Sequence, residues 1–300
     1  MKRIVLILLL VFSVIALAKG PITVASKIDT EGALLGQMIV IVLRANGFEV
    51  NDRTEFGTTS VIRKAITAGE IDIYPEYTGN GGFFFDSTDP EIWKDALLGY
   101  ETVKRLDFER NNLVWLTPAP ANNTWALAIR KDVSDRESVH TLEDLSEYLA
   151  RGGYIKLAAS EEFVNRPDAL PAFQEAYGFS LTRDQLLTFS GGNTAQTIRA
   201  ASQNIDGVNL AMAYGTDGAL SALRLVVLTD TKGVQPVYEP APIVRAEVYT
   251  AYPEIEELLR PVFESLNLET LQALNASIAI EGLDPAQVAR EYLRSRGLIK

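Results

Sequence analysis

The 300-residue sequence contains no cysteine and a single histidine, His140. Without cysteine the chain has neither a disulfide framework nor a lipid anchor on a thiol, so burial of apolar side chains must stabilise it. The same scarcity removes thiol catalysis and a zinc site built from His and Cys. A Ser-His-Asp triad would have to recruit His140, and no G-x-S-x-G motif supports one. We therefore expect a protein that is not an enzyme and that holds no metal or cofactor.

An excess of positive charge is also lacking, because the formal net charge is −11. This sign opposes binding to nucleic acid or to anionic lipid, so we expect neither as a partner. The hydrophobic fraction of 47% permits a large core, and the length suffices for two domains of ordinary size.

The N-terminus has the pattern of a secretory signal peptide. Lys2 and Arg3 precede an apolar segment over 4–17, and a small-residue cleavage pattern ends at Ala18. The apolar segment is shorter than the roughly 18 residues that indicate a membrane span, although an uncleaved anchor is the alternative. We expect residues 1–18 to be cleaved after Ala18 and the mature protein to be periplasmic, with secretion as the alternative.

Strand and helix patterns alternate along the chain, which favours an α/β fold with a parallel sheet covered by helices. The first series has predicted strands at 22–25, 48–50 and 71–74 and helices at 30–46 and 58–68. The second series has predicted strands at 125–129, 155–158 and 208–214 and helices at 142–150, 171–177 and 194–202.

Two proline-rich segments, 117–124 and 232–242, lie at either end of the second series and look like crossings between two lobes. If they are, the first lobe comprises residues 19–122 and 236–300, and the second comprises residues 123–235. Apolar spacing in the C-terminal tail predicts helices that pack on the first lobe.

Aromatic residues follow strands of both lobes. One strand leads to Tyr77 and a glycine, and another leads to Tyr214 and a glycine. Ligand crevices in open α/β sheets lie beyond the carboxyl ends of strands, so these rings could face each other across the cleft, with Trp125 and Tyr238 at the crossings. A cage of rings suits a quaternary ammonium ion, which cannot donate a hydrogen bond. Ordinary core aromatics are the alternative interpretation.

The loop after Tyr77 combines three glycines, Gly79, Gly81 and Gly82, with three phenylalanines at 83–85. We expect the glycines to let the backbone turn sharply beside the ligand. We expect the phenylalanines to pack under the loop rather than touch the ligand.

Several separated motifs resemble the osmoprotectant-binding proteins of ABC importers, which are the glycine betaine, choline and carnitine receptors of the ProX type, and the resemblance is strongest to the OsmF branch. It extends over nearly the whole mature chain. The motifs, in order, are SKIDTEGALLGQM (26–38), GTTSVIRKAITAGEIDIYPEYTGN (57–80), NNTWALAIR (122–130), AYGTDGAL (213–220), YEPAPIVR (238–245) and EGLDPAQVAREYLRSRGL (281–298).

The resemblance implies a two-lobed periplasmic binding protein of type II, with a central sheet flanked by helices in each lobe and two crossing segments. It implies a monomeric receptor that binds a quaternary-ammonium osmolyte such as glycine betaine and delivers it to an ABC permease in the inner membrane. The alternative is a receptor for an amino acid or another small cation that bears a carboxylate.

By motif, the family's aromatic cage falls on Tyr77, Trp125, Tyr214 and Tyr238. Trp125 departs from the ProX pattern, which usually has tyrosine there. Tryptophan offers the best cation–π face, but it is larger and lacks the phenol oxygen.

The positions that hold the ligand's carboxylate in the family fall on Lys27, Asn80 and Arg166. Asn80 stands where a threonine is expected. Lys27 directly follows the first strand at the mouth of the cleft, and a solvated surface lysine is the alternative. Arg166 could hold a carboxylate with two parallel hydrogen bonds, and its alternative is a surface ion pair with Glu161, Glu162 or Asp168.

Overall fold

A computed structural model of the protein describes residues 19–85 and 89–300. The predicted signal peptide lies outside the described residues. The strands of the described chain are β1 (Lys19–Lys27), β2 (Phe48–Gly57), β3 (Ile73–Tyr77), β4 (Leu113–Trp115), β5 (Trp125–Arg130), β6 (Leu157–Ser160), β7 (Leu186–Phe189), β8 (Leu210–Tyr214), β9 (Leu225–Val227) and β10 (Pro240–Arg245).

The helices alternate with these strands and then fill the C-terminal tail. They are α1 (Thr30–Ala45), α2 (Thr59–Thr67), α3 (Gly81–Phe84), α4 (Ala96–Asn111), α5 (Lys131–Glu137), α6 (Leu142–Ala150), α7 (Glu161–Asn165), α8 (Leu170–Tyr177), α9 (Thr194–Ser202), α10 (Ala219–Ala222), α11 (Ala246–Ala251), α12 (Glu254–Glu264), α13 (Leu268–Ala279) and α14 (Pro285–Ser295). Within residues 19–85 and 89–300, none of the helices is long and apolar enough to cross a membrane.

The strands form two five-stranded sheets, with the orders β2-β1-β3-β10-β4 and β7-β6-β8-β5-β9. The predicted parallel pairing holds for β1 with β2 and β3, but the sheet is mixed. Its strand β10, which was not predicted and begins within the second proline-rich segment, is antiparallel to β3 and β4. In the second sheet β5 is likewise antiparallel to β8 and β9. Both exceptions have one cause: each strand enters its sheet from a crossing segment, at the edge where the neighbouring strand ends.

The chain leaves the first sheet after β4, enters the second at β5, and returns between β9 and β10. The two crossing segments are hydrogen-bonded to each other. Asn123 N donates to Tyr238 O at 2.9 Å, and Tyr238 N donates to Asn122 Oδ1 at 2.9 Å. The lobe boundaries predicted from the sequence fall within these connections and stay a prediction.

Apolar layers cover both faces of the first sheet. On one face α1 packs against α12 and α14, with Met38, Phe263 and Leu293 in the shared core. On the other face a second cluster contains Ile62 of α2 and Trp115 of β4. The predicted packing of the C-terminal helices on the first lobe is therefore confirmed. Each such side chain contributes about 1.5–3 kcal/mol when fully buried.

The glycine-rich loop after Tyr77 does not turn as the sequence analysis expects. It forms a short 3₁₀ helix at Thr78–Asn80 and then α3, and none of its three glycines has a positive φ. Glycine is needed here for close approach. A Cβ on Gly81 would lie 2.2 Å from Trp93 Cζ3, and a Cβ on Gly79 would lie 2.8 Å from Tyr238 Cδ1.

Candidate functional site

Strand pairing brings four aromatic rings to one cavity. Trp125 begins β5 and is paired with Tyr214 at the end of β8. Tyr77 ends β3 and is paired with Pro240 of β10, shortly after Tyr238. All four rings line a cavity with about 480 Å³ of empty space, counting the part open to solvent. The structure thus places together the four rings singled out in the sequence.

Trp125 is in the middle of this aromatic group. Its ring centroid lies 6.5 Å from that of Tyr214, with planes 20° apart, and 5.7 Å from that of Tyr238, with planes 56° apart. Burial raises the pKa of Tyr77, Tyr214 and Tyr238, so these phenols are neutral at physiological pH. The Tyr238 hydroxyl is buried and has no hydrogen-bond partner among the described residues. A ligand or water that reached it would remove a penalty of about 1–3 kcal/mol.

Lys27 is buried at the cavity and is ion-paired, so it is not the solvated surface lysine of the alternative interpretation. Its Nζ lies 2.6 Å from Glu76 Oε1 and 4.6 Å from the Tyr77 ring centroid. Asn80 Nδ2 donates to the same Glu76 oxygen at 2.7 Å, and the Tyr74 hydroxyl donates to Glu76 Oε2 at 3.0 Å. Glu76 therefore holds two of the predicted carboxylate-binding side chains in place.

Glu76 was not predicted as a site residue, although one signal was present in the sequence. Glu76 lies in β3, whose residues are all buried, and a buried carboxylate requires a cation and hydrogen-bond donors. A charged residue in an otherwise apolar central strand therefore indicates a partner elsewhere in the chain.

Arg166 is buried at the cavity wall and is bonded to several acceptors. Its Nε and Nη2 donate to Asp168 Oδ1 at 2.7 Å and Oδ2 at 2.6 Å. Its Nη1 donates to Asn80 Oδ1 at 2.9 Å and to Glu162 Oε1 at 3.1 Å. The ion pairs with Glu162 and Asp168 weighed in the sequence analysis are present, but the guanidinium is buried rather than on the surface. The guanidinium edge that carries Nε and Nη2, which could hold a carboxylate with two parallel hydrogen bonds, is occupied by Asp168.

The Arg166 guanidinium also stacks on two rings. Its Cζ lies 4.5 Å from the Trp125 ring centroid and 4.2 Å from that of Phe83. Phe85 is buried in the core, as expected, whereas Phe83 is 36% exposed and contacts the arginine. The aromatic wall thus already accommodates a cation on the Trp125 ring.

Glu31 of α1 lies behind the cavity and was also missed. Its Oε1 accepts hydrogen bonds from the Tyr77 hydroxyl at 3.0 Å and from Asn123 Nδ2 at 2.9 Å. Its Oε2 accepts from Asn275 Nδ2 at 2.7 Å, and Asn275 also donates to Thr216 O at 3.2 Å. Burial raises the pKa of Glu31 to about 6. These partners lie far apart in sequence, so local patterns could not reveal them.

Asp217, after β8, fixes the backbone that carries Tyr214. Its Oδ2 accepts from Tyr214 N at 2.7 Å, and its Oδ1 accepts from Thr194 Oγ1 at 2.9 Å. Burial raises the pKa of Asp217 to about 7. Among residues 19–85 and 89–300, no group of three or more His, Asp or Glu side chains is placed to hold a metal ion. The arrangement is suited to binding a small cation between aromatic walls.

Comparison with known proteins identifies the family of this chain. Residues 20–295 match the family model OpuAC, the substrate binding domain of ABC-type glycine betaine transport system. The chain belongs to the OpuAC family. This family consists of substrate-binding transport proteins rather than enzymes. Membership of this family implies a small-molecule ligand and a permease partner. The substrate-binding proteins of ABC importers are periplasmic.

Two relatives of this OpuAC-family chain span most of its length. It is 56% identical over 295 residues to glycine betaine-binding protein YehZ of Escherichia coli (strain K12), covering 98% of this chain and 97% of that protein. It is 35% identical over 282 residues to a glycine-betaine-binding protein of Pseudomonas aeruginosa (strain PAO1), covering 92% of this chain and 88% of that one.

The solved structure of apo YehZ from Escherichia coli is similar to this OpuAC-family protein, with a TM-score of 0.68 and 58% identity. The similarity covers 93% of this chain and 99% of that chain. The two mixed sheets flanked by helices form the type II fold of periplasmic binding proteins, so the predicted fold class is confirmed.

Proposed function

We propose that this protein binds a quaternary-ammonium osmolyte of the glycine betaine type between its two lobes and delivers it to an ABC permease in the inner membrane. The observation that carries the proposal is the convergence of four aromatic rings, drawn from both sheets and a crossing segment, on one cavity. A trimethylammonium group has no N–H to donate, and aromatic faces attract it electrostatically. The names of the two glycine betaine-binding relatives support the same ligand class.

In this proposal Tyr77, Trp125, Tyr214 and Tyr238 surround the cationic head of the ligand. Each ring contributes roughly 0.5–2 kcal/mol, depending on how completely the cation is desolvated. The neutral phenols and the indole add no charge of their own, so selectivity for the cation comes from ring faces and from nearby carboxylates.

Lys27, Asn80 and Arg166 form the edge of the cavity to which we assign the ligand's carboxylate. Lys27 has three N–H donors and gives one to Glu76 in the structure, which leaves donors for a second anion. Arg166 keeps its Asp168 pair, and its Nη1 exchanges Glu162 for the ligand. Asn80 links Lys27 and Arg166. Its Nδ2 donates to Glu76, the partner of Lys27, and its Oδ1 accepts from Arg166 Nη1.

The proposed function also requires export of the protein and movement of its lobes. Residues 1–18 are a signal peptide cleaved after Ala18, and the mature protein acts as a monomer in the periplasm. Its lobes are residues 19–122 with 236–300 and residues 123–235. The lobes close around the ligand by bending at the two crossing segments.

Calorimetric titration of the purified protein tests the proposal. Glycine betaine, choline, carnitine and glycine are titrated separately, and each is then competed against glycine betaine. Glycine betaine should bind and glycine should not, because glycine keeps the charges but lacks the methyl groups that pack on the rings. Binding of unmethylated amino acids without glycine betaine would favour the amino acid receptor instead. Absence of binding by every quaternary amine would overturn the proposal.

A further inference from the structure

The cavity contains one carboxylate that the assignments above do not use. Asp29 follows β1 and is the N-cap residue of α1, and its side chain lines the same cavity as the four rings. It is 9% exposed, so it is nearly as buried as the aromatic residues around it. Asp29 was not predicted as a site residue, because an aspartate before a helix is explained by capping alone.

Capping occupies only one of the two Asp29 oxygens. Oδ1 accepts a hydrogen bond from Gly32 N at 2.7 Å, whereas Oδ2 accepts none from another described residue. Within the described part of the chain Asp29 forms no salt bridge, in contrast to Glu76 with Lys27 and Glu162 with Arg166. Asp29 is therefore a buried carboxylate at the cavity with no cation in contact, an arrangement that is costly until a cation arrives.

The electrostatic surroundings agree with this geometry. Burial is the main cause that raises the pKa of Asp29, the Glu162 charge raises it further, and Lys27 lowers it. The Asp29 charge in turn raises the pKa of both Tyr77 and Tyr214, and all three side chains line the same cavity. A positive charge at this place would be stabilised by the carboxylate and by the ring faces together.

We propose that Asp29 is a further ligand-binding residue, whose carboxylate is the direct charge partner of the quaternary ammonium group. This inference rests on the proposed function and deepens it. The ring faces already favour a cation, and Asp29 adds a full negative charge that makes binding depend more strongly on the positive charge of the ligand. The site should therefore reject a ligand of the same shape in which carbon replaces the cationic nitrogen.

The test compares glycine betaine with 3,3-dimethylbutanoate, its carbon isostere, in wild-type protein and in Asp29→Asn. Asparagine caps helices about as well as aspartate, so the variant removes the charge and keeps the cap. We expect Asp29→Asn to weaken glycine betaine binding about tenfold, because it removes the attraction between opposite charges a few Å apart in a partly buried site. Affinity for the isostere should stay the same or rise.

Asp135→Asn is the matched control, because it removes one negative charge from an exposed side chain of α5. This variant should change neither the affinity for glycine betaine nor that for 3,3-dimethylbutanoate. Asp29→Glu, which keeps the charge but displaces it, should bind glycine betaine more tightly than Asp29→Asn, and thermal unfolding verifies that each variant folds. If Asp29→Asn binds glycine betaine within twofold of wild type, the role of Asp29 is wrong while the receptor function stands. If wild-type protein binds no quaternary amine, both proposals fail.

Discussion

Trp125 and Tyr214 lie opposite each other on neighbouring antiparallel strands, with ring centroids 6.5 Å apart. Side chains alternate between the two faces of a sheet, so a register shift of one residue would move either ring out of the cavity. The aromatic wall of the second lobe is therefore fixed by backbone pairing between β5 and β8.

Replacing Trp125 by alanine should weaken glycine betaine binding about tenfold or more, because the change removes the best cation–π face of the cage. Tyr214→Ala should have an effect of similar size. Isothermal titration calorimetry measures both. Trp125→Phe should retain part of the affinity, since it keeps a ring at the same place.

Tyr154→Ala is the control for these aromatic variants, because Tyr154 is 56% exposed and does not line the cavity. Its affinity for glycine betaine should equal that of wild type. Trp125→Ala also empties a buried site and should cost about 3–5 kcal/mol of unfolding free energy, so binding is measured well below its melting temperature. Wild-type affinity in both Trp125→Ala and Tyr214→Ala would remove the cage assignment.

Lys27 and Glu76 should be coupled in stability. Either Lys27→Met or Glu76→Gln alone leaves one buried charge without its partner, which typically costs 3–5 kcal/mol. The double variant has no unpaired charge at these two positions and should recover much of the lost free energy of unfolding. Urea unfolding of the four proteins gives the coupling energy. Additive losses in the double variant would show that the pair does not interact as the 2.6 Å contact indicates.

Asp217 should make stability depend on pH in the acid range. Burial raises its pKa from 3.8 to about 7, so the folded protein binds this proton more tightly than the unfolded chain does. The resulting contribution to the free energy of unfolding is complete below about pH 4 and is lost as the pH rises to about 7. Asp217→Asn removes the titration. The variant should therefore gain stability relative to wild type, by on the order of 1 kcal/mol or more, between these pH values.

Urea unfolding at a series of pH values measures this difference. Asparagine can still accept from Tyr214 N through Oδ1 and donate to Thr194 Oγ1 through Nδ2, so both hydrogen bonds have replacements. Asp135→Asn again serves as the exposed control. A constant difference between Asp217→Asn and wild type across the range would contradict the raised pKa.

Gly218 should be required for lobe closure. A Cβ at this position would lie 2.0 Å from the backbone oxygen of Gln272 in α13, where the loop after β8 meets the C-terminal helices. Gly218→Ala should therefore oppose the close approach of this loop to α13 and weaken glycine betaine binding about tenfold. Small-angle scattering with saturating ligand should show a larger radius of gyration than for wild type.

Gly99→Ala in α4 is the matched control, because its Cβ would meet its nearest neighbour at an ordinary 3.5 Å. It should bind glycine betaine normally. Normal affinity and normal compaction in Gly218→Ala would show that the backbone adjusts and that this contact does not limit closure.

The sequence predicted the regular elements well where local signals were complete. Helices α6 and α9 have the bounds that their apolar spacing and capping residues indicate. The direction of β10 was not predictable in this way, because it depends on the path of the crossing segment rather than on residues within the strand. The glycines of the loop after Tyr77 were noticed, but the need for them comes from rings elsewhere in the chain, Trp93 for Gly81 and Gly82 and Tyr238 for Gly79.

In the site, too, residues with a local sequence signal were predicted and residues that depend on remote partners were not. The four rings were selected because each stands at a strand end or a crossing, and these places converge in any fold of this type. The carboxylates Glu31 and Glu76 were missed. Each is held by a partner that is remote in sequence, Asn275 for Glu31 and Lys27 for Glu76.

The bonds between Asn122, Asn123 and Tyr238 tie the two crossing segments together beneath the cavity. In the proposed binding cycle, the cavity floor keeps its shape when the lobes open about these bonds, and only the walls part. Trp125 and Tyr238 then offer the solute a preformed surface, and Tyr77 and Tyr214 approach it from opposite sides on closure. Such a cycle would convert ligand binding into a change of outline that a membrane partner could recognise.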